Sequence, residues 1–145
     1  MTNLDDIGNP ALLRAARRVY GTAIRAALDE AGYDDVPRNG IFVLSAISRS
    51  GAPLAGIIRD MGISKQSASQ LVDALVLRGY LERRDDPSDR RRLTIRPSAR
   101  GAEVAGIVAK VVARVNAALV RKVGKERVQH MREALAALIE MGDAS

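Results

Sequence analysis

The chain has 145 residues, a formal net charge of +6, no cysteine and a single histidine. That length suits one domain able to build its own core, and the lack of thiols excludes disulfides and thiol-based chemistry. The positive balance fits a polyanionic partner such as nucleic acid, although charge alone identifies none.

Met1 to Pro10 is polar and acidic, unlike a secretion signal. No apolar run approaches the roughly 20 residues needed to cross a bilayer, so a cytoplasmic protein without membrane contact is expected. Asn9-Pro10 reads as a cap followed by proline at the first helical position, and Gly32 as a stop, predicting a first helix over Pro10 to Ala31. Leu12, Ala16, Val19, Ala23 and Ala27 run down one side of it, and Leu13, Tyr20, Ile24 and Leu28 down the next. That apolar surface is broader than a single small core uses. After a linker over Gly32 to Pro37, Ile41, Phe42, Leu44 and Ile47 mark a second helix over about Arg38 to Arg49. Pro53 then opens a short helix through Leu54, Ile57 and Ile58, closed by Gly62.

Ser64 can accept a hydrogen bond from the free amides of a first turn, so a further helix should begin there and end at Gly79. Ala68, Leu71, Val72 and Leu75 fall at i, i+3, i+4 and i+7, a stripe for burial. The opposite side carries Lys65, Gln66, Ser69, Gln70 and Asp73, and its first turns hold no acid. A solvated helix face usually carries pairs of Glu and Lys. Short or flexible donors suit phosphates and base edges instead. Tyr80 to Arg84 and Arg91 to Arg96 are strand candidates around the turn-forming Asp85-Asp86-Pro87-Ser88-Asp89. Seven arginines lie between Arg83 and Arg100, three of them consecutive at Arg90 to Arg92. Beside a polar helix face that density is an electrostatic footprint for a polyanion, although Glu82, Asp85, Asp86 and Asp89 lie among the arginines and could simply balance them.

The segment LVDALVLRGYLERRDDPSDRRRLTIRPSARG resembles the recognition helix and wing of the multiple antibiotic resistance regulator (MarR) family of winged helix-turn-helix repressors. In that family an Asp, one residue, an Arg and, six residues further, Leu-Thr mark the wing. Asp89 and Arg91 match, while Pro97-Ser98 stands where Leu-Thr is usual. The resemblance extends more weakly over the whole chain. It implies a mainly α (α+β) fold, a winged helix-turn-helix with N- and C-terminal helices forming a dimerisation domain. The expected division is a helical dimerisation region over 1–36 and 98–145 around a DNA-binding region over 37–97.

Ser98 can cap a long helix running to about Val123, lined by Val104, Val108, Val111, Val115 and Leu119. Gly124 breaks it from a last helix over Lys125 to Met141, where Val128, Met131, Leu135 and Leu138 step by three and four. Surplus apolar faces at both chain ends must meet each other or another copy, and a homodimer is the expected answer.

For the DNA-binding reading, the candidate contacts are Ser64, Lys65, Gln66, Ser67, Ser69 and Gln70 in a major groove, with Arg84, Asp89, Arg90, Arg91 and Arg92 on the hairpin. The resemblance implies that Arg91 enters the minor groove, and Asp89 would orient that arginine by a paired hydrogen bond. It also implies a small aromatic or phenolic effector lodged between the dimer helices and the winged region. Arg17, Tyr20 and Phe42 could line such a pocket, although plain core packing is the first explanation for the two aromatic rings. No catalytic, metal or cofactor site is expected. His130 has no second histidine or cysteine beside it, and the aspartates of the turn lack the oxygen set of a calcium loop. The competing reading is a winged-helix module that holds a protein or an RNA and has no operator.

Overall fold

The computed structural model describes residues 3–50, 54–86 and 88–143, excepting the side chains of 49, 50, 86 and 89–93. After a short 3-10 turn at Leu4–Asp6 come α1 (Asn9–Glu30), α2 (Arg38–Ser50), α3 (Leu54–Met61) and α4 (Lys65–Leu77). Two strands, β1 (Leu81–Asp86) and β2 (Asp89–Pro97), form an antiparallel pair, and α5 (Ala99–Val123) and α6 (Lys125–Asp143) complete the chain. This is the mainly helical fold with a single small hairpin that the sequence led us to expect.

Most predicted starts and stops are met by identifiable chemistry. Ser64 sits in extended backbone and its side chain accepts from the Ser67 amide at 3.1 Å, which caps α4. Ser98 does the same for α5, its Oγ accepting from the Gly101 amide at 3.0 Å. Gly79 and Gly124 adopt φ of 83° and 90°, the left-handed backbone that lets the chain turn out of a helix. The start of α1 differs from expectation: Gly8, not Asn9, is the capping position, and it makes no side-chain cap. Proline in the first turn removes one of the amides a cap would satisfy, so a polar cap matters less there. Pro53, expected to open α3, lies outside the described residues.

The chain divides into two compact units, Met1–Val111 and Val112–Ser145. The described hydrophobic residues that are buried all belong to the first: Leu28, Val43, Leu44, Leu75, Tyr80, Leu81 and Val104 are its most enclosed members. Here α2 packs on α3 and α4, and α4 on β1. The α2–α4 contact is close because Gly40 carries no side chain; a Cβ there would come 2.8 Å from Leu75 Cδ2. In the second unit, α6 buries none of its described residues, and Met131, Leu138, Ile139 and Met141 are exposed. No helix among the described residues is long and apolar enough to cross a membrane.

Candidate nucleic-acid interface

The turn between α3 and α4 is tight, with Gly62 at φ 68°. It leaves α4 with one side against the core and one side free. Ala68, Val72 and Leu75 are buried and Leu71 half-buried, so the apolar stripe points inward. Ser64, Lys65, Gln66, Ser67, Ser69 and Gln70 are all exposed, and the first turn of α4 holds no acid. From Lys65 to Gln70 the helix rises about 7.5 Å, close to two base-pair steps of a duplex. The unpaired amides at this end also present a partial positive charge.

The hairpin adjoins α4. Arg83 reaches across from β1 to donate to Asp73 Oδ1 at 2.7 Å, tying the strand to the exposed side of α4 and cancelling that side's acid. Arg84, one residue on, pairs with Glu82 at 2.8 Å and is exposed. A small cavity of about 290 Å³ lies here, lined by Ile58, Ala68, Ser69, Val72, Asp73, Arg83 and Ile95. The strands run further into the turn than expected. Asp86 pairs with Asp89, leaving only residues 87 and 88 between the strands, a two-residue connection of the kind hairpins favour. The register shifts between Asp85, opposite Leu93, and Asp86, so residues 90–92 fall within an irregularity of β2. Pro87 and the side chains of Asp89, Arg90, Arg91 and Arg92 lie outside the described residues. The backbone of all four arginine-loop positions from 89 to 92 belongs to β2.

Of the other candidates, Arg17 is exposed and Tyr20 half-buried on α1, while Phe42 on α2 is 47% exposed. The two cavities described are lined by other residues; the larger, about 790 Å³ and wide open, is bounded by Arg25, Asp29, Asp34, Asp35, Val36 and Arg78. His130 is exposed on α6. The ion pair between Asp73 and Arg83 was not anticipated. Its sequence signal is faint: an acid on the polar side of α4 and an arginine alternating with Glu82 on the following strand.

Residues 34–92, which span α2 to the hairpin, match the MarR family. Over that segment the chain is similar to the MarR family. A curated relative, an uncharacterised HTH-type transcriptional regulator, YhbI of Bacillus subtilis, is 26% identical over 98 residues, or 67% of this chain. That match covers 64% of the relative, so the chain spans under two thirds of its length. Solved MarR-type structures agree along nearly the full chain. FabT of Streptococcus pneumoniae, solved in complex with DNA, superposes with a TM-score of 0.75 at 15% identity, covering 94% of this chain and 95% of FabT. MepR of S. aureus, also solved with DNA, gives 0.72 at 16% identity, covering 94% and 99%. At such low identity these likenesses establish the shared fold. The winged helix-turn-helix expected from the sequence is thereby the fold of this chain.

Proposed function

We propose that this protein is a transcriptional regulator that binds specific duplex DNA as a homodimer, represses from an inverted-repeat operator and is released by a small aromatic or phenolic effector. The observation that carries the reading is the exposed, acid-free start of α4 beside an antiparallel wing. The solution of MepR and FabT with DNA supports it by analogy.

In this mechanism the N-terminal half of α4 enters a major groove. Lys65 and the hydroxyls of Ser64, Ser67 and Ser69 meet phosphates, where charge gives affinity. Gln66 and Gln70 meet base edges, where a paired donor and acceptor select adenine. Arg91, with Arg90, Arg92 and Arg84 beside it, enters the adjacent minor groove, whose narrow walls concentrate negative potential; Asp89 orients the inserted guanidinium. Two such heads read half-sites about 10 base pairs apart, one turn of the duplex. Residues 37–97 form the DNA-binding region and 1–36 with 98–145 the dimerisation region. Support for the dimer is the apolar surface of α6, where Met131, Leu138, Ile139 and Met141 are exposed and Val128 and Leu135 only half-buried. The effector would meet Arg17, Tyr20 and Phe42.

Fluorescence anisotropy on duplexes selected from a random pool tests the reading. If a dimer neutralises six to ten phosphates, affinity falls by roughly 10³ to 10⁵ between 50 and 200 mM salt. Arg91→Ala should weaken binding to every sequence, whereas changing Gln66 or Gln70 should relax preference at particular bases. Binding that is flat in salt, with no selected sequence, would favour the protein- or RNA-holding module instead.

A further inference from the structure

Two helices of the first unit end identically. At the end of α1 the Gly32 amide donates to Asp29 O and the Tyr33 amide to Leu28 O; at the end of α4 the Gly79 amide donates to Val76 O and the Tyr80 amide to Leu75 O. Both are Schellman turns with glycine in the left-handed conformation (φ 89° and 83°), and each delivers a tyrosine as the next residue. The two rings meet, with centroids 6.2 Å apart at 60°. Arg100, in the first turn of α5, lies over both, its guanidinium carbon 4.7 Å from the centre of Tyr80 and 5.5 Å from that of Tyr33.

Hydrogen bonds complete the cluster. Tyr80, fully buried, donates its hydroxyl to Asp35, and Arg100 donates to the same hydroxyl at 3.0 Å and to Asp35 at 3.5 Å. Tyr33 donates to Glu103 on α5. The main chain is locked as well: Ser98 donates its amide to Tyr80 O at 3.1 Å and its hydroxyl to Gly79 O. Gly101 leaves no space between α5 and this turn, since a Cβ on it would stand 2.0 Å from Tyr80 O. Three helix ends, those of α1, α4 and α5, are therefore clasped at one point.

We infer that Arg100 and Tyr80, with Tyr33, are positioning residues that fix the angle of the recognition helix α4 against α5 and so set the half-site spacing the dimer reads. The inference rests on the proposed function. The lever arm gives the reason. From this clasp to Lys65 the helix is about 18 Å long, and a tilt of about 10° would move its DNA-facing end by about 3 Å, nearly one base-pair step. A lone exposed Arg–Asp pair would be too weak and mobile to hold such an angle. A guanidinium stacked on two rings, one of them buried, and bonded to the buried hydroxyl is directional on several axes at once. Hydrogen bonding from Tyr80 holds the Asp35 carboxyl below its ordinary range, and burial pushes the Tyr80 phenol up, so both keep the protonation states the clasp uses across the neutral range.

The test measures the affinity of full-length protein for the selected operator and for duplexes whose half-sites are one base pair closer or further apart. Wild type should favour one spacing. Arg100→Gln should lower that discrimination by about fivefold, the scale of one such stacking contact, and Tyr80→Phe, which keeps the ring but loses the hydroxyl's bonds to Asp35 and Arg100, by about fivefold, the scale of one hydrogen bond, while affinity for an isolated half-site stays unchanged. Arg100→Lys should not restore it, because an ammonium lacks the planar fork. If Arg100→Gln does not fold, Tyr80→Phe decides. Folded variants with the wild-type spacing profile would overturn the clasp alone, and a wild type that selects no duplex would overturn the regulator reading and the clasp with it.

Discussion

Gly101 shows how a single hydrogen atom in place of a methyl group decides a helix junction. Alanine in a helix interior ordinarily stabilises by about 0.5–1 kcal/mol over glycine. Here the added carbon would meet a backbone oxygen at 2.0 Å, and main chain cannot step aside as a side chain can. Overpacking of that kind costs about 1–3 kcal/mol, so Gly101→Ala should destabilise the protein in urea titration despite its better helix propensity. The clasp also carries a pH signature. The Asp35 carboxyl is held low by the Tyr80 hydroxyl and then by the Arg100 charge, so its contribution is complete above the ordinary carboxylate value of 3.8 and disappears as acid protonates it. The Tyr80 phenol is raised by burial and by its bond to Asp35, so its contribution is complete below its ordinary value of 10.0 and disappears as pH rises through the raised one. Asp35→Asn should therefore flatten the acid side of a stability-versus-pH curve and shrink the alkaline side to the part that burial of Tyr80 supplies.

Helix α4 has to form before it can meet anything, and its N-terminal cap is the feature most open to test. Replacing Ser64 with alanine removes the acceptor for the Ser67 amide and should cost about 1 kcal/mol in thermal or urea melting. Asp73 behaves differently. Its bond to Arg83 joins α4 to β1, but both side chains are exposed, at 68% and 43%. Pairs of that kind contribute about 0–1 kcal/mol, so Asp73→Asn should change the melting temperature little. Its effect should emerge in DNA affinity, because a freed Arg83 and a lost negative charge both alter the potential beside the proposed groove-facing residues. The hairpin owes its existence to sequence in a different way. Alternating residues and an aspartate-rich turn predict two strands, yet pairing resumes at Asp86 and Asp89 past a shift of register, which the sequence pattern does not mark.

The proposed homodimer is open to test through α6. Met131, Leu138, Ile139 and Met141 lie exposed on a helix that buries none of its described residues. A protein assembled through such a surface should melt at a temperature that rises with its concentration. Sedimentation should give twice the chain mass at micromolar concentration, and a charge at the apolar surface, as in Leu138→Glu, should give a monomer that melts lower and loses salt-sensitive DNA binding. A wild-type monomer at that concentration would remove the dimer from the proposal.

The sequence by itself determined the order of elements, most of their caps and the inward and outward sides of α4, because helix periodicity, Ser64, Ser98 and the glycines at 79 and 124 act over a few residues each. It also marked the arginine-rich hairpin and the polar start of α4 as a candidate site. Tertiary structure alone decided what distant residues do together. Tyr33 and Tyr80 read as ordinary residues after helix-stopping glycines, and Arg100 as one more cation, until three helix ends converge to stack them. Likewise nothing in the sequence singles out Gly101; only the carbonyl of Tyr80 lying against it explains why no side chain fits. Short-range rules can be read along a chain, whereas close approach between segments 20 to 70 residues apart depends on how the whole core packs.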